Sequence, residues 1–128
     1  MIRPLKRVRP SSDRTFVLDD YKSRAQIAKA LAHPARLMLI DVLRQGDRCV
    51  CELTELVGAD QSTVSKHLSI LKGAGIVDDS REGAKVFYHL RAPCVLKIFE
   101  CIEGVLDLRL ESESRWRRVR RFDGKEER

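Results

Sequence analysis

The sequence holds little of what would make it a membrane protein, a secreted protein or an enzyme. No apolar run approaches the roughly 18 residues that a bilayer-spanning helix needs. The opening Met1-Ile2-Arg3-Pro4-Leu5-Lys6 lacks the apolar centre of a signal peptide. The expected location is cytoplasmic, with no membrane partner. The three histidines, His33, His67 and His89, fall in separate stretches. Neither a paired-carboxylate site nor a nucleophile beside a base emerges, so the chain is not read as an enzyme. There are no internal repeats. Four cysteines in a reducing compartment are not expected to form structural disulfides. They are free for packing, metal binding or redox chemistry.

What remains is a chain of 128 residues, enough for one domain with a small core. It is 43% hydrophobic and 34% charged, which fits a globular protein with a helix-rich surface. Its net charge of +6 favours a polyanionic partner, although charge alone fits any basic protein equally well.

The most telling stretch runs from Asp60 to Gly75. Val64, Leu68 and Leu71 recur at spacings of four and three, with Ile70 beside them, and form one apolar stripe. The other face carries Gln61, Ser62, Thr63, Ser65, Lys66 and Ser69, small donors and acceptors plus one cation. That face suits a DNA groove better than a protein partner. Asp60 can cap the start of the helix, and Gly73 to Gly75 end it.

The rest of the chain arranges itself around this helix. Residues 1–13 read as a flexible basic arm. Tyr21 to Leu31 is a first helix, with Tyr21, Ala25, Ala28, Leu31 and Ala32 at helical spacing. His33-Pro34 breaks it, Pro34 suits the first turn of the next, and His33 reads as a structural contact at that helix start. Ala35 to Arg44 follows, with Leu37, Leu39, Ile40, Val42 and Leu43 apolar, and should be buried. Val50 to Val57 is a short third helix, and Gly58-Ala59-Asp60 turns into the reading helix. Two short helices joined by a three-residue, glycine-containing turn mark a helix-turn-helix. Ile76–Ser80 and Lys85–Leu90 read as strands of a hairpin whose tip is Arg81-Glu82-Gly83-Ala84.

The expected fold is therefore mainly α with a small β-hairpin wing, a winged helix-turn-helix. Pro93 then opens a long helix with Val95, Ile98, Phe99, Ile102, Val105, Leu106 and Leu108 on its apolar face. The domain is expected over 14–108. The residues 109–128, with the basic run Arg115 to Arg121, read as a charged, mobile tail. The apolar faces of the first and last helices exceed what one small domain needs to cover, so pairing across a two-fold axis into a homodimer is expected. The alternative is that both close the monomer core.

Three segments resemble the ArsR/SmtB family of small winged-helix, metal- and metalloid-responsive repressors. They are Ala30-Leu31-Ala32-His33-Pro34-Ala35-Arg36-Leu37, Cys49-Val50-Cys51-Glu52-Leu53, and Gln61-Ser62-Thr63-Val64-Ser65-Lys66-His67-Leu68. The likeness covers about residues 20–108. It implies a homodimer that represses transcription from a double-stranded DNA operator and leaves it when an inducer binds.

Helix-turn-helix readers set the N-terminal residues of the second helix against base edges. Here those are Gln61, Ser62 and Thr63, with Ser65 and Lys66 one turn later. Gln can bond adenine through two hydrogen bonds, and Ser or Thr can bond base or phosphate. Lys66, His67 and Lys72 read as phosphate contacts, His67 equally well as a plain surface residue. Arg81 and Lys85 on the wing read as phosphate or minor-groove contacts.

Cys49 and Cys51 are the first choice for an effector site. In a regular helix they would point about 200° apart, so they can share one ion only if the first turn is distorted or not yet helical. The helix N-terminus and Arg48 should favour thiolates, and soft thiolates suit a soft ion. Similarity to the arsenic-responsive branch implies As(III) or Sb(III) held by three sulfurs, with no permanent cofactor. Thr54 stands where one version of the family motif has a third cysteine, and the N-terminal arm has none. Cys94 and Cys101, seven residues apart and about 10 Å in rise, are a rival inter-subunit site if two last helices cross antiparallel. Their plain reading is small hydrophobes in a dimer seam. Cd(II), Pb(II) or Zn(II) sensing, and a thiol redox or persulfide switch, stand as alternatives on the same fold. So does an interaction module that uses the fold for protein contacts.

Overall fold

The structure, a computed structural model, describes residues 16–124, with side chains described through residue 115. The arm expected over 1–13 lies outside the described residues. The elements are α1 Leu18–Leu31, α2 Pro34–Leu43, β1 Arg48–Cys49, α3 Val50–Val57, α4 Gln61–Gly73, β2 Val77–Glu82, β3 Lys85–Leu90 and α5 Val95–Gly124. The chain divides after Pro93 into two compact units.

In the first unit, α2, α3 and α4 pack on one another, α1 touches α2 and α4, and the sheet covers the remaining side. Leu39, Ile40, Leu53, Val64, Leu68 and Leu71 are wholly buried at the centre, with Leu43, Ile76 and Val77 around them. The apolar stripe of α4 is as expected except at Ile70, which is 46% exposed. At about 100° per residue it lies more than 100° away from the line through Val64, Leu68 and Leu71. In α2, Leu39, Ile40 and Leu43 face the core, while Met38 lies on the outer side. His33 caps that helix, its Nδ1 accepting the Ala35 N–H at 3.0 Å.

Helix α1 starts three residues earlier than its pattern suggests and buries only Ala30 and Leu31. Phe16, Val17, Leu18, Tyr21 and Ile27 remain exposed. The Arg24 guanidinium lies 5.0 Å over the Tyr21 ring.

The sheet has three antiparallel strands in the order β1-β3-β2. Strand β1 departs from the sequence-based expectation, because two residues are too few to show an alternating pattern. It pairs Arg48 with Tyr88 and Cys49 with Phe87. The hairpin ladder runs out to Glu82↔Lys85, so Arg81 and Glu82 belong to the strand rather than to the tip. Gly83, at φ 64°, opens a two-residue turn, the position where a tight hairpin needs a left-handed backbone.

The second unit is dominated by α5. Ile98, Ile102, Val105, Leu106 and Leu108 are exposed along it. The helix does not stop at Leu108, where a separate tail was expected, but continues to Gly124. Its later residues are mostly good helix formers, Glu, Arg and Leu, with no proline to end it. No helix among the described residues is long and apolar enough to cross a membrane.

Candidate nucleic-acid interface and cysteine site

Helix α3 supports the reading helix. Its first turn is closed by Glu52, whose Oε1 accepts the Cys49 N–H at 3.3 Å. The Thr54 hydroxyl donates back to the Val50 carbonyl at 2.8 Å, so it is engaged within the helix. Gly58 ends α3 in the left-handed region at φ 74°, which a side chain disfavours. The chain then turns at once into α4. Asp60 caps α4: its Oδ1 accepts the Thr63 N–H at 2.8 Å and the Ser62 hydroxyl at 3.3 Å. Those bonds, Thr63's first, hold the Asp60 carboxyl below its ordinary value.

Gln61, Ser62, Thr63 and Lys66 are exposed at the N-terminal half of α4, and Ser65 is half-buried. Arg81 and Lys85 are exposed on the wing. Two other residues expected to meet phosphates have partners inside the protein. Lys72 Nζ lies 2.7 Å from Asp79 on β2, and that carboxylate raises the Lys72 pKa, clamping the end of α4 to the wing. His67 Nδ1 lies 3.1 Å from the Arg36 guanidinium, and its ring packs against His33. Burial, then the charges of His33 and Arg36, hold its pKa below the ordinary histidine value. No spacing in the sequence signals the Arg36–His67 pair, because the partners are 31 residues apart.

Cys49 and Cys51 are joined sulfur to sulfur, with Cα atoms 5.4 Å apart, against the expectation that no disulfide forms. The physical reason is that Cys49 is not helical. At φ −77°, ψ 160° it is extended backbone in β1, and it caps α3, so the helical divergence does not apply. Cys49 is buried and Cys51 exposed. A cleft of about 280 Å³ beside them is lined also by Val50, Gln61, Ala84, Lys85 and Val86. The cysteine pair thus shares one concavity with the first residue of the reading helix and the tip of the wing. Cys94 and Cys101 are free and exposed. Cys94 lies in the turn just before α5 rather than on it. Among the described residues, no three His, Cys, Asp or Glu side chains converge to hold a metal ion.

A tight helix-turn-helix with an exposed polar N-terminus on its second helix, followed by a charged hairpin, defines a winged helix-turn-helix DNA reader. The profile of bacterial regulatory proteins of the arsR family matches residues 33–79, from the cap of α2 into β2. An uncharacterised HTH-type transcriptional regulator of Methanocaldococcus jannaschii is 37% identical over 87 residues, covering 67% of this chain and 98% of that one. The biofilm growth-associated repressor of Agrobacterium fabrum is 41% identical over 81 residues, covering 63% and 69%. The solution structure of a homodimeric winged helix-turn-helix DNA-binding domain from Mycobacterium bovis, a possible ArsR-family regulator, superposes with a TM-score of 0.64 at 33% identity, covering 81% and 94%. This chain belongs to the arsR family of bacterial regulatory proteins, and its class is that of transcriptional regulators, not enzymes.

Proposed function

We propose that the protein is a cytoplasmic, homodimeric transcriptional repressor whose operator affinity is set at Cys49 and Cys51. Gln61, Ser62 and Thr63 read base edges of double-stranded DNA. Ser65, Lys66, Arg81 and Lys85 hold phosphates. In the reduced protein the two thiolates take As(III) or Sb(III), and the operator is released. The observation that carries this reading is the shared cleft, which Cys49, Cys51, Gln61 and Lys85 all line. Because Cys49 belongs to β1 and also caps α3, a change there is felt by both the wing and the support of the reading helix.

Two-fold pairing is supported by the exposed apolar residues along α1 and α5, and by the homodimeric M. bovis relative. Repression is supported by the A. fabrum relative. The cysteine pair fits two of the three sulfur positions around trivalent arsenic. The third position falls to another donor. A site built on Cys94 and Cys101 across the dimer is the rival location, and Cd(II), Pb(II) and Zn(II) are the other ions that thiolates suit.

A second reading is favoured by the contact between the two sulfurs, with no third donor among the described residues converging on them. Here the dithiol is oxidised to the disulfide, losing two protons and two electrons to a peroxide or polysulfide, and that step is the signal. Operator binding followed by fluorescence anisotropy separates the two. Release by arsenite or antimonite without an oxidant supports metalloid sensing, and release by polysulfide alone supports the redox switch. No release by any of them removes the effector role from this site.

A further inference from the structure

His67 faces inward, and what it meets there is a three-way junction. The Arg36 guanidinium donates from Nε to the Ala30 carbonyl at 2.7 Å and from Nη2 to the Lys29 carbonyl at 3.2 Å. Both carbonyls belong to the last turn of α1, where helix geometry leaves acceptors short of partners. Its remaining arm, Nη1, lies 3.1 Å from His67 Nδ1 on α4. One side chain of α2 therefore ties the end of α1 to the middle of the reading helix. His33, the cap of α2, packs against the same imidazole, with ring centroids 4.3 Å apart and the planes tilted by 43°.

We propose that Arg36 and His67 form a latch that holds α4 in its DNA-reading position against α1 and α2, and that protonating His67 opens it. Arginine keeps its charge at every relevant pH and only donates. The bond thus requires a lone pair on His67 Nδ1, which puts the ring proton on Nε2. The imidazolium has no lone pair to offer, and it would set a third cationic or protonatable group beside Arg36 and His33. The groups acting on His67 are those two, both at the start of α2. The last turn of α1, which also packs on α4, adds only Lys29, another base. Every charged neighbour opposes protonation, and burial does the same. The neutral, latched form is therefore dominant at neutral pH and is lost on acidification.

The sign of the pH effect separates this role from a phosphate contact. A histidine against phosphate binds DNA more tightly as it gains a proton. A latch histidine binds DNA more weakly, by at most about tenfold per pH unit below its pKa for each linked proton, and a homodimer carries two such histidines. Operator affinity is measured from pH 8 to 5.5 at fixed ionic strength for the wild type, His67→Asn and Arg36→Lys, with folding checked by circular dichroism.

Asn presents an acceptor near the Nδ1 position and does not titrate, so His67→Asn is expected to bind at pH 7.5 within a few-fold of wild type and to lose the acid weakening. Arg36→Lys keeps the charge but not the fork, and is expected to bind more weakly at every pH. The nitrogen NMR shifts of His67 are expected to report the Nε2–H tautomer. Tighter wild-type binding on acidification, an unchanged pH slope in His67→Asn, or the Nδ1–H tautomer would each overturn the latch.

Discussion

Gln61→Ala and Leu68→Ala alter the two faces of one helix, and they should fail in opposite ways. Leu68 is wholly buried on α4, the helix against which α2, α3 and β2 pack. Truncating a leucine in such a site removes its transfer energy and leaves a cavity, at a cost of roughly 2–5 kcal/mol. That is a large share of the about 5–15 kcal/mol that holds a small domain folded. At about 4–8 °C per kcal/mol for a unit of this size, the melting temperature should fall by about eight degrees or more.

Gln61 is exposed at the first position of α4, and the cap from Asp60 goes to Thr63 and Ser62, not to its side chain. Its truncation should leave stability within about 0.5 kcal/mol. A bidentate base contact contributes roughly 1–3 kcal/mol of discrimination, about 5- to 150-fold, at each half-site. Thermal melts and anisotropy on operator and on scrambled DNA separate the two effects. For Gln61→Ala the prediction is an unchanged melt and a reduced preference for operator over scrambled DNA. If the preference survives while the melt is unchanged, α4 does not read bases with its N-terminus.

Further outcomes follow from the same geometry. Lys66→Ala, Arg81→Ala and Lys85→Ala should each lower the slope of log affinity against log salt by about one for every phosphate left unneutralised, with little change in melting. Gly58→Ala should destabilise by roughly 1–2 kcal/mol from backbone strain alone: φ there is 74°, while an added Cβ meets nothing within 4 Å. Asp79→Asn should lower the melting temperature by freeing Lys72. Because Asp79 raises the Lys72 pKa, that contribution is present below the ordinary lysine value of 10.5 and disappears as pH rises through the folded value. The melting difference between wild type and Asp79→Asn should therefore persist at neutral pH and close at high pH.

Local patterns carried much of the fold. Helix α3 and strand β3 begin and end where periodicity, Gly58 and the flanking turns put them. The Asp60 cap and the inward stripe of α4 were equally legible, because each depends on residues within one or two turns of one another. What escaped was non-local. Strand β1 exists only because β3 offers it a partner. The Arg36–His67 contact joins two helices through space. Ile70 looks like part of the stripe by proximity in sequence, and helical geometry turns it outward. The meeting of Cys49 and Cys51 hinges on the extended backbone of Cys49, and that is set by its pairing with Phe87 rather than by the cysteine spacing.

Under the proposed function, the cysteine pair at the start of α3 governs the reading helix. The most direct test is operator anisotropy of the reduced dimer titrated with arsenite, in the wild type, in Cys49→Ser with Cys51→Ser, and in Cys94→Ser with Cys101→Ser. Release is predicted for the wild type, to be abolished in the first double variant while its operator binding without arsenite persists, and to be retained in the second. Release that survives the loss of Cys49 and Cys51, or that disappears only with Cys94 and Cys101, would contradict it.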